Sequence, residues 1–281
     1  VTLRRRISRA VAVLAGLLMA GALVQAPAAP AYAAPGGSGP YPADYETSWR
    51  LRDHTIYRPT NVPDGVKLPI LAWGNGACRA DGTWFENILK EFASHGFLVI
   101  ANGSPGGRGS TDADMLTEAI DWAIDENDRL FSDLRGKIDT GSIAVAGQSC
   151  GGLEAYEVSA SDPRVDTTMI FNSGMLDDAN NDQLANLHAP IAYIVGGPTD
   201  IAYENAMDDW NRIPSALPAF MGNLDVGHFG TFSEPNGGEF GRVGSAWLKW
   251  RLKGDTTAGA LFTGPNCGLC NTDWTLQRRN L

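Results

Sequence analysis

The sequence predicts an α/β fold, a mostly parallel central sheet with helices on both faces and no large cap domain. Two observations carry this. Residues 68–73, 97–101, 143–146 and 191–195 are short apolar runs without strict alternation, as expected of strands buried on both faces, and 167–171 and 219–224 read as further strands. Between them lie stretches with apolar residues at helical spacing, and strands alternating with helices build a parallel sheet covered on both sides.

In chain order, residues 49–57 read as a first strand, with Leu51 and Ile56 among polar neighbours, and 68–73 as a more continuous second. Phe85, Ile88, Leu89 and Phe92 share one helical face, then 97–101 is a strand. Met115, Ala119, Trp122 and Ala123 repeat the helical spacing. The run 143–146 is the next strand, followed at once by a helix at Leu153–Glu157. Strands 167–171 and 191–195 leave room between them for one short helix, so an open site is expected. A helix carrying Tyr203, Ala206, Met207 and Trp210 precedes 219–224, expected to be the last strand, and Phe240, Val243, Trp247 and Trp250 mark the last helix. Trp84, Tyr203 and Trp210 read as core. After Asp255 neither period persists, which predicts a surface-wrapping tail. The glycines of 103–109 lack the Gly-Lys-Ser/Thr ending of a phosphate loop and read as a flexible connection near the site. No internal repeat is present.

Arg4, Arg5, Arg6 and Arg9, the apolar stretch 10–24 and Ala31-Tyr32-Ala33 read as a secretory signal peptide over 1–33, through either export route. Its apolar part is shorter than the ~20 residues of a membrane-spanning helix. Residues 34–44 read as a flexible leader, and 45–281 as one domain. Net charge is −10 with those arginines included, so the mature chain is more acidic still and nucleic acid is a poor partner. A soluble, secreted monomer without a membrane anchor is expected.

The most informative segment is Gly147-Gln148-Ser149-Cys150-Gly151, lying between a strand and a helix. It resembles the nucleophile elbow of α/β-hydrolases, whose tight turn exposes a serine at the helix N-terminus. Such a serine needs a histidine base oriented by an acid, in the chain order serine, acid, histidine. His188 and His228 follow Ser149. His188 precedes a strand, at the wrong end of the sheet, whereas His228 follows the strand 219–224. Asp200, just after 191–195, is the expected acid, with Asp177 and Asp178 as alternatives.

The oxyanion needs two N–H donors. Cys150 supplies one, and Ala77 or Gly76, after the strand 68–73, the other. Four cysteines permit three pairings, and in an exported chain pairing is favoured. Cys267 and Cys270 form an obvious local loop. A Cys78–Cys150 bridge would lock the oxyanion hole; the alternatives are two buried thiols, or Cys150 itself as nucleophile. No metal or cofactor is expected.

The mature chain resembles secreted bacterial α/β-hydrolases of the dienelactone hydrolase, cutinase and polyester-hydrolase neighbourhood. The likeness rests on Pro69-Ile70-Leu71-Ala72-Trp73-Gly74-Asn75-Gly76, Ala93-Ser94-His95-Gly96-Phe97, the elbow, Asp200-Ile201-Ala202-Tyr203 and Gly227-His228. It implies cofactor-free ester hydrolysis, on a small or polymeric ester, by Ser149, Asp200 and His228. The elbow departs from the family in Gln148 and Cys150, where histidine and methionine are common. The segment Asn75-Gly76-Ala77 lacks the proline-glycine-aromatic pattern of polyester hydrolases, which argues against an aromatic clamp in that loop and against polyester substrates. A peptidase or amidase with the same triad and a non-catalytic carbohydrate binder are the competing readings.

Overall fold

Residues 36–176 and 182–281 are described by the computed structural model. The expected signal peptide and the alternative acids Asp177 and Asp178 lie outside them. Six parallel strands form the centre of the sheet: β3 (Leu68–Gly74), β4 (Leu98–Asn102), β5 (Ile138–Gln148), β6 (Thr167–Phe171), β7 (Ile191–Val195) and β8 (Ala219–Asn223). Antiparallel β1 (Ala43–Ser48) and β2 (Leu51–Pro59) extend one edge, and antiparallel β9 (Thr275–Arg279) the other. The order among the described residues is β1-β2-β4-β3-β5-β6-β7-β8-β9. From β3 the chain moves outward to β4 and returns to β5 on the other side of β3. That reversal opens a crevice at the carboxyl ends of β3 and β5, where open α/β sheets bind ligands.

The pleat explains the near-continuous apolar strands. Ile70 and Ala72 face a layer containing Leu116, Ile120, Tyr156 and Trp210, from α2 (Ala113–Asp128), α3 (Cys150–Ser161) and α5 (Tyr203–Arg212). Leu71 and Trp73 face the opposite layer, with Phe92 of α1 (Glu86–Ser94) and Trp247 of α6 (Gly238–Lys253). Trp73 lies within 6.3 Å, centroid to centroid, of Phe85, Phe92, Phe171 and Phe232. Truncating such a residue to alanine costs about 3–5 kcal/mol. A single turn, α4 (Asp182–Ala185), is the described helix between β6 and β7.

Three expectations are corrected. The first strand is a hairpin, with Trp49 and Arg50 at its turn and Trp49 exposed. The leader is docked from Gly36 onward: the Ser38 N–H and hydroxyl both donate to the Glu91 carboxylate at 2.6 Å, and the Tyr41 N–H donates to Ser94 O at 3.0 Å. Its glycines serve close approach, since a Cβ on Gly37 would lie 2.2 Å from the Ser94 Cβ. The tail is also built in, through α7 (Thr256–Gly259) and β9, so 219–224 is not the last strand. Phe262, Leu269 and Trp274 are buried, and Cys267 is disulfide-bonded to Cys270. No helix among the described residues is long and apolar enough to cross a membrane.

Candidate active site

Ser149 sits between β5 and α3 with φ 52° and ψ −117°, a conformation costing a non-glycine residue about 1–3 kcal/mol. The surrounding backbone explains why it persists. A Cβ on Gly147 would lie 2.1 Å from Gly151 O, and one on Gly151 2.1 Å from Gly74 O, so only glycine lets the strand, turn and helix cross so closely. The Ser149 N–H donates to Phe171 O at 3.0 Å, and the Ser173 hydroxyl donates to Ser149 O at 2.6 Å.

The loops after β7 and β8 meet above this turn. The Gly227 N–H donates to Gly196 O at 2.6 Å, and Asn172, just beyond β6, donates to Gly227 O at 3.1 Å. His228 is thereby placed with Nε2 3.1 Å from Ser149 Oγ and Nδ1 2.7 Å from Asp200 Oδ1. Asp200 is buried and accepts further from Asn172 Nδ2 at 2.7 Å and from the N–H groups of Gly196 and Ala202 at 3.1 and 3.0 Å. Burial pushes its pKa up, but the bonds from His228, Ala202, Asn172 and Gly196 outweigh this and hold it below the ordinary aspartate value. An ionised Asp200 puts the imidazole proton on Nδ1 and leaves Nε2 to accept from the serine. His188 is exposed, just before the start of β7 at the opposite end of the sheet.

The segment expected to hold the second oxyanion donor adjoins the elbow because Gly74 and Gly147 pair across β3 and β5. It forms a 3₁₀ turn, Gly76–Cys78, with Ala77 and Cys78 at φ 52° and 45°. Cys78 is disulfide-bonded to Cys150, their Cα atoms 5.2 Å apart. Cys150 is the first residue of α3, so its N–H has no intrahelical acceptor.

This architecture matches a known family. The PET hydrolase-like family model covers residues 37–275. The chain belongs to the PET hydrolase-like family. By that membership it is a carboxylic ester hydrolase on an α/β-hydrolase fold. It is also 26% identical over 246 residues to Cutinase 2 of Thermobifida cellulosilytica, covering 83% of this chain and 88% of that one. The likeness to Cutinase cut1 of Thermobifida fusca is 26% over 83% of this chain and 72% of the other.

Around Ser149 and His228 of this PET hydrolase-like chain the surface is apolar. A cavity of about 150 Å³ touches Ser149 and His228 and is walled by Leu153, Leu176, Ile201 and Ala202. Leu176, Ile201 and Phe229 are large apolar side chains left exposed. Phe229 also lines a neighbouring cavity of about 380 Å³ with Trp84, which stacks on Phe85 at 5.3 Å. Trp84 is thus a partly exposed rim residue rather than core, whereas Trp210 is buried in the core and Tyr203 packs against it. The connection 103–109 is tied rather than loose, its Gly103 N–H donating to Asp53 O and its Gly106 N–H to Asp81 Oδ1. Among the described residues no group of three or more histidines, cysteines or acids is placed to hold a metal.

The positioning amides were not foreseen. Asn172 joins the acid loop to the base loop. Gln148, noted only as a departure from the family, donates to His228 O at 3.1 Å and presses its Oε1 against Gly76, where a Cβ would lie 1.9 Å away. Asn75 donates to the carbonyls of Arg79, Asp81 and Asn102, and its N–H is held by Asn102 Oδ1. Their one sequence signal is position, since Asn75 and Asn172 each follow the carboxyl end of a strand.

Proposed function

We propose that the protein is a secreted serine esterase working through Ser149, His228 and Asp200. The observation that carries this is the hydrogen-bonded line from Ser149 Oγ through the imidazole to Asp200, at 3.1 and 2.7 Å. His228 Nε2 takes the hydroxyl proton as Ser149 attacks the ester carbonyl, and Asp200 stabilises the imidazolium that forms. The N–H groups of Cys150 and Ala77 receive the oxyanion, with Gly76 the alternative second donor. His228 returns the proton to the leaving alcohol, giving an acyl-enzyme. Water then attacks with His228 again as base, and the acid is released.

The apolar rim favours acyl chains or polymer segments lying across an open surface over a ligand enclosed in a tunnel. PET hydrolase-like membership and the apolar rim bring polyesters back among the candidate substrates, although the oxyanion loop carries no aromatic clamp. The deciding assay compares p-nitrophenyl esters of increasing acyl length with matched p-nitroanilides, using Ser149→Ala as control. Ester turnover lost in that variant is expected. Turnover of anilides alone would transfer the reading to an amidase, and no turnover with no phosphonate labelling at Ser149 would leave a binding protein.

A further inference from the structure

We propose that the Cys78–Cys150 disulfide is the positioning element of the oxyanion hole, so that turnover rather than substrate binding depends on its being oxidised. This rests on the serine-esterase reading above. Ala77 and Cys78 are consecutive non-glycine residues in left-handed backbone, at φ 52° and 45°. Such a pair relaxes unless its surroundings over-determine it. Asn75 fixes the ends of the segment: its N–H is held by Asn102 and its side-chain amide reaches the Arg79 and Asp81 carbonyls. The middle, which carries the Ala77 N–H, is held differently. There Cys78 O accepts from the Thr111 N–H at 2.8 Å, and Cys78 Sγ is bonded to the residue after the nucleophile.

The bridge therefore joins the two residues whose backbones bear on the oxyanion. One end is Cys150, whose own N–H is a donor, and the other is the immediate neighbour of Ala77. An oxyanion hole works because its donors are already aimed before charge develops, and a donor that must reorient contributes much less. The Arg79 N–H closes the 3₁₀ turn on Gly76 O at 3.0 Å, but without the bridge that single bond leaves the turn free to exchange left-handed for ordinary backbone, turning the Ala77 N–H away. Ground-state binding of an ester relies on the apolar rim of Leu153, Leu176, Ile201 and Ala202, to which the bridge adds only the edge of Cys150. Loss of the bond should thus appear in kcat. Reduction by a dithiol is a two-electron, two-proton exchange: the Cys78–Cys150 bond breaks, both sulfurs become thiols, and the dithiol closes to its own disulfide.

The test uses Cys78→Ser/Cys150→Ser beside Cys267→Ser/Cys270→Ser, which removes only the distant bridge. With p-nitrophenyl butyrate, kcat of the first variant should fall about 10- to 100-fold, less than the roughly 100- to 1000-fold for complete loss of an oxyanion donor, because the misaimed N–H is still present. Its KM should stay within roughly threefold of wild type, as expected when only transition-state interactions are lost. Affinity for an alkyl boronic acid, which forms a tetrahedral adduct on Ser149, should fall in parallel with kcat. The second variant should keep wild-type kcat while oxidised, lose it on dithiol treatment with an unchanged near-ultraviolet circular dichroism spectrum, and regain it on reoxidation. That arm decides the matter if the first variant does not fold. Wild-type kcat without the Cys78–Cys150 bond would overturn the proposal. So would activity and the near-ultraviolet signal disappearing together, since the bridge would then serve folding. Activity retained in Ser149→Ala would instead overturn the esterase reading itself.

Discussion

Asn172 donates to Asp200 Oδ2 at 2.7 Å from the same amide nitrogen that reaches Gly227 O at 3.1 Å. One small side chain thus fixes Asp200 and ties it to the loop that carries His228. Asn172 has φ 43°, a conformation asparagine tolerates better than most residues. Asn172→Ala should lower kcat by roughly tenfold or more, since a hydrogen bond to a charged group is worth about 1.5–3 kcal/mol. The amide also helps hold the Asp200 pKa down, so its loss should raise the pH at which the Asp200 carboxyl takes up its proton, read by carboxyl-carbon NMR. A variant with a lower rate but an unmoved Asp200 titration would mean that Asn172 orders the loops without acting on the Asp200 charge.

Two glycines of the site should behave differently on substitution. A Cβ at Gly76 meets the end of the flexible Gln148 side chain, whereas one at Gly151 meets the Gly74 backbone. Gly76→Ala should therefore keep most of its melting temperature and lose activity, because Gln148 must give up its place against the His228 loop. Gly151→Ala should lose both, by several degrees and at least 100-fold in kcat/KM, since the elbow cannot close. Thermal melts beside ester kinetics would separate the cases, and equal destabilisation by the two would count against this reading of Gln148.

The exposed apolar rim makes a prediction about substrate form. Phe229 lies beside His228, ring centroids 5.8 Å apart, and Ile201 follows Asp200 directly, so both stand at the rim of the proposed site without being among its proposed catalytic residues. Burying part of such a side chain against an apolar substrate is worth about 1 kcal/mol each, or roughly fivefold. Phe229→Ser/Ile201→Ser should reduce adsorption to a polyester film and release of soluble product by about 10-fold or more. Hydrolysis of p-nitrophenyl acetate should stay within about twofold, because that acyl group is too short to span the rim. An equal loss on both substrates would show that these residues support the catalytic loops instead.

How far the fold was legible follows from what each residue contributes. The strand β7 was readable to the residue because burial on both faces demands an unbroken apolar run, and β6 because two β-branched threonines lead into Met169-Ile170-Phe171. The strand β9, Thr275-Leu276-Gln277-Arg278-Arg279, was not, because an edge strand can dock through polar groups. Arg279 lays its guanidinium 4.8 Å from the Trp210 ring and donates to Trp210 O at 2.9 Å, while Arg278 donates to the carbonyls of Phe262 and Gly264. Hydropathy scores both arginines as solvent-facing, which Arg278 is, although the stem and plane of Arg279 pack on Trp210. Trp49 misled in the opposite sense, its size suggesting a strand interior when it lies exposed at a hairpin turn. At the site, the serine, acid and histidine stood out because each follows a strand and carries distinctive chemistry. Asn75, Asn102 and Asn172 act by hydrogen bonds to backbone groups and to the buried carboxyl groups of Glu154 and Asp200, a role that leaves no mark in charge or periodicity.

A buried carboxyl behind the site predicts a stability response to pH opposite in sign to that of carboxylates with depressed pKa values. Asp209 is fully buried, and its Oδ2 accepts from the Tyr156 hydroxyl and from the Met175 N–H, both at 2.8 Å. Burial raises its pKa from 3.8 to about 6 against those two bonds. The native state therefore holds this proton more tightly than the unfolded chain. The contribution to stability is fully present below pH 3.8 and is lost as pH rises through about 6. At 1.36 kcal/mol per unit, the loss is on the order of 2–3 kcal/mol. Carboxylates with depressed values, such as Asp200 and Glu91, run the other way and lose stability as pH falls. Asp209→Asn isolates the effect, because the amide oxygen can still accept from Met175 and Tyr156 without carrying charge. Urea unfolding should give the variant and wild type similar stability at pH 4 and favour the variant by about 1–3 kcal/mol at pH 8. A deficit in the variant of equal size at both pH values would show that Asp209 is needed there as a carboxylate, and its perturbed ionisation would carry no weight in the stability of the Met175–Leu176 segment.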